Sequence, residues 1–283
     1  MIVFLNGQFV PEEQALVSVF DRSFQYGDGL FETMRVFRGI PFRWAQHFER
    51  LERGAQFLKI DLPFPPAALR NFAAELIARN SLPESLLRLT LSRGVGPRGY
   101  SPNGAQRPSL VMSLHPAPVL DFENPPRWRL AVSSFRLPAN EPLAQFKTCN
   151  KLPQILARAE SDQAGADEAL ILNTEGCVVE ASSSNLFWID SGHVCTPPLA
   201  AGVLPGVTRA VVLELCTALG LAVGHTGITP ETLAQTDGVF LSLSSIGIAE
   251  AMSLDGRPLR LSPEVGRIHK AYGELCARET EAS

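Results

Sequence analysis

Four prolines fall between His115 and Pro126, in a stretch with no helical period. Proline has no N–H to give a strand ladder, and its ring blocks the preceding helical turn. So dense a cluster ends the element before it and reads as a linker. It divides the 283-residue chain into a smaller N-terminal domain over 1–115, a linker over 116–126 and a larger C-terminal domain over 127–283. Apolar residues make up 45% of the chain, enough for both parts to bury a core.

Local patterning predicts the elements. Asn6-Gly7 between the apolar runs 2–5 and 8–10 predicts a hairpin. Strands are predicted over 30–37 and 41–44 around Arg38-Gly39. Two helices follow, over 45–58 and 66–79. The first gathers Phe48, Leu51, Ala55 and Leu58 on one side. Strands over 86–92 and 110–114 enclose a Gly-, Pro- and Arg-rich loop, 93–107. Past the linker come a strand over 128–134 and a helix after Lys147, with Pro153 in its first turn. A hairpin over 168–172 and 177–181 and a strand over 186–190 follow. A helix over 207–219, a strand over 239–243 and a helix over 264–278 complete the order. The strands cluster instead of alternating with helices, which predicts α+β domains and not a doubly wound sheet.

Several function classes are disfavoured. The net charge is −4 with both signs interspersed, so no basic stripe points to nucleic acid. No apolar run approaches the roughly 20 residues of a membrane span. The five cysteines are odd in number and none are spaced as a zinc pair, so no metal site is expected and a reducing cytoplasm is. His47, His115, His193, His225 and His269 stand isolated and read as structural or solvated.

Three segments carry chemistry. Lys147 precedes a helix, where a partly desolvated amine can act as a Schiff-base nucleophile. Glu180 ends an apolar strand and opens the hydroxyl run Ser182-Ser183-Ser184, followed by Asn185-Leu186-Phe187-Trp188. A carboxylate there can keep a pyridine nitrogen protonated. Leu204-Pro205-Gly206-Val207-Thr208-Arg209 turns into a helix start, where N–H groups and dipole favour a phosphate. Each segment is common by itself; their order and spacing together are not.

The three segments resemble the class IV aminotransferases, the fold type IV pyridoxal-phosphate enzymes. Asp21-Arg22, the run 26–33 and His47-Phe48-Glu49-Arg50-Leu51 are also similar to that family, so the resemblance runs from about residue 4 to about residue 250. It implies a two-domain α+β fold of the D-amino-acid aminotransferase type, pyridoxal 5'-phosphate as cofactor, a small-molecule amino substrate and a homodimer. It implies that Lys147 links to the cofactor and then moves protons, and that Glu180 pairs with the pyridine nitrogen. Arg50, Val207 and Thr208 would hold the phosphate, with Ser183 and Ser244 as further cofactor contacts. Periodicity alone disagrees at Arg50. At about 100° per residue it lies roughly 120° off the apolar stripe and reads as solvated.

Three reactions share the scaffold: branched-chain transamination, D-amino-acid transamination and the cleavage of 4-amino-4-deoxychorismate to 4-aminobenzoate and pyruvate, a step of folate synthesis. The loop Arg93 to Ser101 ends Arg98-Gly99-Tyr100-Ser101, which resembles the lyases; D-amino-acid aminotransferases usually end it in His. An arginine there can clamp a carboxylate with two parallel hydrogen bonds. Arg98 is the first candidate for that role and Arg88 the second, with Phe31 and Tyr100 as further substrate contacts. Both aminotransferase groups tend to carry a small residue and then a Glu where this chain has Leu243 and Gly247. The expected activity is therefore 4-amino-4-deoxychorismate lyase. Branched-chain or D-amino-acid transamination is the alternative, and a ligand-binding relative without turnover is the non-enzyme reading.

Overall fold

The computed structural model describes residues 1–281. The chain forms two compact units. The first comprises Met1–Pro118, Phe146–Asn150 and residues 277–281; the second comprises Val119–Gln145 and Lys151–Cys276.

The first unit is built on β1 (Ile2–Leu5), β2 (Gln8–Pro11), α1 (Arg22–Tyr26), β3 (Gly29–Phe37), β4 (Ile40–Pro41), α2 (Trp44–Leu58), α3 (Pro66–Asn80), β5 (Ser85–Ser92) and β6 (Ser109–Pro116). Asn6 and Gly7 both take positive φ, +49° and +94°, as the β1–β2 hairpin turn requires. The six strands run in the order β2-β1-β6-β5-β3-β4, every neighbouring pair antiparallel. Phe4, Met34, Leu87, Leu89 and Leu114 on the sheet pack with Leu51 of α2 and Leu69 and Leu76 of α3. The strand expected over 41–44 shrinks to Ile40–Pro41. Arg43 turns left-handed at φ +56° and α2 begins at Trp44, whose ring stacks on Phe48 one turn later.

The second unit contains β7 (Arg127–Leu137), α4 (Leu152–Gln163), β8 (Glu168–Asn173), β9 (Val178–Ala181), β10 (Asn185–Asp190), β11 (His193–Thr196), α5 (Val207–Ala218), β12 (Val223–His225), α6 (Pro230–Leu233), β13 (Gly238–Leu243), β14 (Gly247–Leu254), β15 (Arg257–Pro258) and most of α7 (Pro263–Glu279). The sheet order is β12-β11-β10-β13-β14-β7-β8-β9, and Glu180 of β9 also pairs with Asn185 of β10, closing the sheet on itself. Parallel pairs β7–β8, β7–β14 and β11–β12 sit among antiparallel ones, so the unit is mixed and not doubly wound. β14 escapes sequence reading because its first five residues are all buried, which erases the period of two.

Sequence order alone assigns Phe146–Asn150 to the C-terminal domain. The segment instead pairs with β3. Phe31 N donates to Lys147 O and Cys149 N donates to Gly29 O, each at 2.9 Å, and Leu30 bridges Thr148. Among the described residues, no helix is long and apolar enough to cross a membrane.

Candidate functional site

In the first unit the candidate residues are arranged around β3. The bonds to Phe31 and Gly29 fix the backbone on both sides of Lys147, whose half-buried amine lies 4.9 Å from the centroid of the Phe31 ring. The guanidinium of Arg88, from the neighbouring β5, lies 4.0 Å from the same ring, and burial pulls its pKa down. Phe31 is thus flanked by the Lys147 amine and the Arg88 guanidinium. Asn150 pins the turn before β3, donating from Nδ2 to Gly27 O at 3.1 Å.

The next residue, Glu32, is wholly buried. Arg50 donates to both of its carboxylate oxygens, Nε at 2.8 Å and Nη2 at 2.7 Å, and His47 Nδ1 lies 2.7 Å from Oε2. Burial by itself would raise the carboxyl. The Arg50 charge and the hydrogen bonds from Arg50 and His47 overcome it and hold Glu32 at about 2. Burial lowers His47 and outweighs the upward pull of Glu32, with Arg50 and Lys147 adding to the lowering. His47 therefore stays neutral and donates Nδ1–H to the carboxylate. The helical period alone misleads at Arg50, which is 5% exposed because Glu32 compensates its charge. One expectation is corrected here. His47 is not isolated: it faces Glu32 from one turn of helix before Arg50.

Arg98 and Tyr100 lie on the exposed loop after β5, and Tyr100 is 89% exposed. Arg93, in the same run, is buried and structural. It donates from Nε to Asp28 and from its Nη atoms to the carbonyls of Leu58 and Lys59 at the end of α2.

In the second unit the candidate residues gather where β9 and β10 meet the start of α5. Oε2 of Glu180 accepts from Leu204 N at 3.1 Å, while Asn185, its cross-strand neighbour, donates to Leu204 O at 2.9 Å. The two side chains clamp one residue from both edges and so aim the Pro205-Gly206 turn. Any side chain on Gly206 would collide with the Asn185 amide. Gly206 also caps α5 without a side chain of its own, so the first N–H groups of the helix have neither intrahelical acceptor nor side-chain cap. Thr208 Oγ1 lies 3.4 Å from Ser244 Oγ at the end of β13. Val207 and Thr208 are both buried.

Ser183, expected at the cofactor, has its hydroxyl committed elsewhere. It donates at 2.5 Å to the buried Glu168, which also accepts from Ser182. Spacing gave no sign of this partner, 15 residues upstream on another strand. Ser184 Oγ, in contrast, is buried without a hydrogen-bond partner among the described residues.

The amino-transferase class IV family model matches residues 29–254. The chain is 35% identical over 274 residues to a putative branched-chain-amino-acid aminotransferase of Methanocaldococcus jannaschii, covering 97% of this chain and 94% of that one. It is 32% identical over 258 residues to an aminodeoxychorismate lyase of Vibrio harveyi, covering 90% and 93%. A branched-chain amino acid aminotransferase of T.th., solved with pyridoxamine 5'-phosphate, superposes with a TM-score of 0.89 at 29% identity, covering 96% of this chain and 93% of that one.

The residues present fit such a cofactor. The uncapped helix start and the Thr208 and Ser244 hydroxyls offer donors to a phosphate. The unpartnered Ser184 hydroxyl still needs an acceptor. Within the second unit Glu180 is a carboxylate held in place by Leu204 N; within the first, Lys147 carries an amine beside the Phe31 ring. The chain belongs to the class IV aminotransferase family, and its cofactor is pyridoxal 5'-phosphate.

Proposed function

We propose that the enzyme is a 4-amino-4-deoxychorismate lyase. The observation that carries this reading is Gly247. Its φ is +78°, and a Cβ built there would run into the Tyr272 ring. The glutamate that family transaminases tend to carry at this place would be strained in its backbone and blocked in its packing. Leu243, where those enzymes tend to have a small residue, supports the same reading.

Bound pyridoxal phosphate supplies an electron sink for the carbon that carries the substrate amine. Glu180 keeps a proton on the pyridine nitrogen; Arg50, Val207, Thr208 and Ser244 hold the phosphate. Lys147 Nζ takes the proton from the amine-bearing carbon. The ring C–O bond then breaks, and the three-carbon side group leaves with its oxygen as the enolate of pyruvate. Lys147 gives its proton to the methylene carbon of that enolate, forming pyruvate, and the ring is left aromatic as 4-aminobenzoate. Arg98 and Arg88 suit the two carboxylates of such a substrate, and the Phe31 ring keeps water from one side of the Lys147 amine.

A second copy of the chain is the partner that the segment 16–24 suits. Leu16 and Phe24 are 77% and 72% exposed, and Val17, Val19 and Phe20 are exposed beside them. A homodimer follows from this reading, and light scattering reads it directly.

The deciding assay mixes the purified enzyme with aminodeoxychorismate. In separate reactions it receives an L- or D-amino acid and 2-oxoglutarate. Release of 4-aminobenzoate is expected. Glutamate formation without it selects a transaminase, the second reading, which the 35% identity to the putative branched-chain enzyme favours.

A further inference from the structure

We infer that Arg22 is a positioning residue for substrate recognition: with Tyr26 it holds the loop that carries Arg98 and Tyr100 in one shape. The inference rests on the reading of Arg98 as a carboxylate binder.

Arg22 opens α1 and is 3% exposed. Its Nη1 donates to the carbonyls of Gly99 at 2.8 Å and Ser101 at 3.1 Å, and its Nη2 donates to Tyr100 O at 3.1 Å. One guanidinium thus gathers three successive carbonyls. Its Nε donates to Asp28 at 2.7 Å, and Asp28 also accepts from Arg93 at 2.8 Å. One turn further along α1, the Tyr26 hydroxyl accepts from Gly99 N at 3.2 Å. The Arg22 guanidinium lies 5.0 Å from the centroid of the Tyr26 ring, and the Tyr100 ring meets Tyr26 edge-on at 5.8 Å.

The clamp grips the backbone and leaves the Arg98 side chain outside, exposed. A loop this rich in glycine and proline has no helix or strand ladder to order it. Three charge-assisted bonds to carbonyls and one bond to an N–H take that place, with Asp28 balancing the charge of the clamp. Gly99, at φ +115°, lets the chain turn between the gripped carbonyls. The ordering cost of Arg98 is then met on folding rather than on binding, which improves affinity without touching the reacting atoms. A lysine could not substitute, because a single ammonium lacks the planar fork.

The test is a double-mutant cycle on steady-state constants with aminodeoxychorismate, or with the amino acid and 2-oxoglutarate if those react instead. Arg22→Gln should raise KM about tenfold with kcat within about twofold, as loss of binding without loss of chemistry requires. In an Arg98→Ala background, Arg22→Gln should add less than about twofold, since the side chain it positions is gone. The cofactor absorbance band should not move in any of these variants. Tyr26→Phe removes only one hydroxyl, keeps the ring packing, and should raise KM in the same direction by about threefold. It keeps the question open to measurement if Arg22→Gln fails to fold.

Independent addition of the Arg22 and Arg98 effects overturns the inference. So does an unchanged KM in Arg22→Gln, or in Tyr26→Phe where that variant must stand in, while Arg98→Ala raises it. An unchanged KM in Arg98→Ala removes the carboxylate reading itself and this inference with it, a distinguishable result.

Discussion

Arg50 grips Glu32 with two hydrogen bonds of 2.8 and 2.7 Å, from Nε to Oε1 and from Nη2 to Oε2, with both side chains almost fully out of water. The pair joins α2 to β3, and β3 also carries the Lys147 segment. The bidentate geometry sets the Arg50 rotamer, so a residue assigned to the cofactor phosphate is ordered before any phosphate arrives.

Removing one partner should cost far more than the pair contributes, because it leaves a buried charge uncompensated. Glu32→Gln is expected to lower the unfolding free energy by about 3 kcal/mol, read from urea melts of the cofactor-free chain. A loss below about 0.5 kcal/mol, the scale of an exposed pair, would mean that water reaches the site.

Acid stability follows from the same group. Glu32 is held at about 2, below its ordinary value of 4.5, so its contribution is complete above pH 4.5 and fades as pH falls toward 2. His47 is also lowered from its ordinary 6.5, so below that pH the unfolded chain takes up the proton first. Both contributions have the same sign, and stability should decline on acidification. Melting temperatures between pH 7 and pH 3 check this, and Glu32→Gln should flatten the curve below pH 4.5. A wild-type midpoint that climbs on acidification contradicts the assignment.

Lys147→Ala should fold normally, since the segment is held by the backbone bonds to Phe31 and Gly29. Turnover should fall by on the order of a thousandfold or more, as for removal of a positioned proton carrier. Borohydride should fix the cofactor to the wild-type chain at this residue and not to the variant; peptide mapping that finds the label elsewhere removes Lys147 from its role.

Asn185→Ala deletes the hold on Leu204 O and leaves the Pro205-Gly206 turn supported by Glu180 alone. Cofactor affinity should drop about tenfold, the equivalent of one well-made hydrogen bond, in a titration of the cofactor-free chain followed by absorbance. Equal affinity would show that α5 holds its start without the clamp.

Gly247→Ala should destabilise the chain by about 2 kcal/mol, from the left-handed backbone and from the Tyr272 ring in the path of the new methyl. A neutral effect in thermal melts would remove the packing argument against a glutamate there.

Much of this was readable in the order of residues. The Asn6-Gly7 hairpin, the α2 and α5 stripes and the Pro-Gly-x-Thr-Arg turn are local patterns, and backbone torsions respond to near neighbours. Membership of the family followed from three such patterns in order. What tertiary structure alone decided was which distant side chains meet. Glu32 found Arg50 and His47, Glu168 took the Ser183 hydroxyl, Arg22 closed on a loop 77 residues away, and Lys147 joined β3 rather than the strands beside it in sequence. Periodicity placed Arg50 in water because a helical pattern records the face of one helix and not the charge on the strand packed against it. Burial of a charge depends on a partner held at hydrogen-bond distance, and only the folded chain sets that distance.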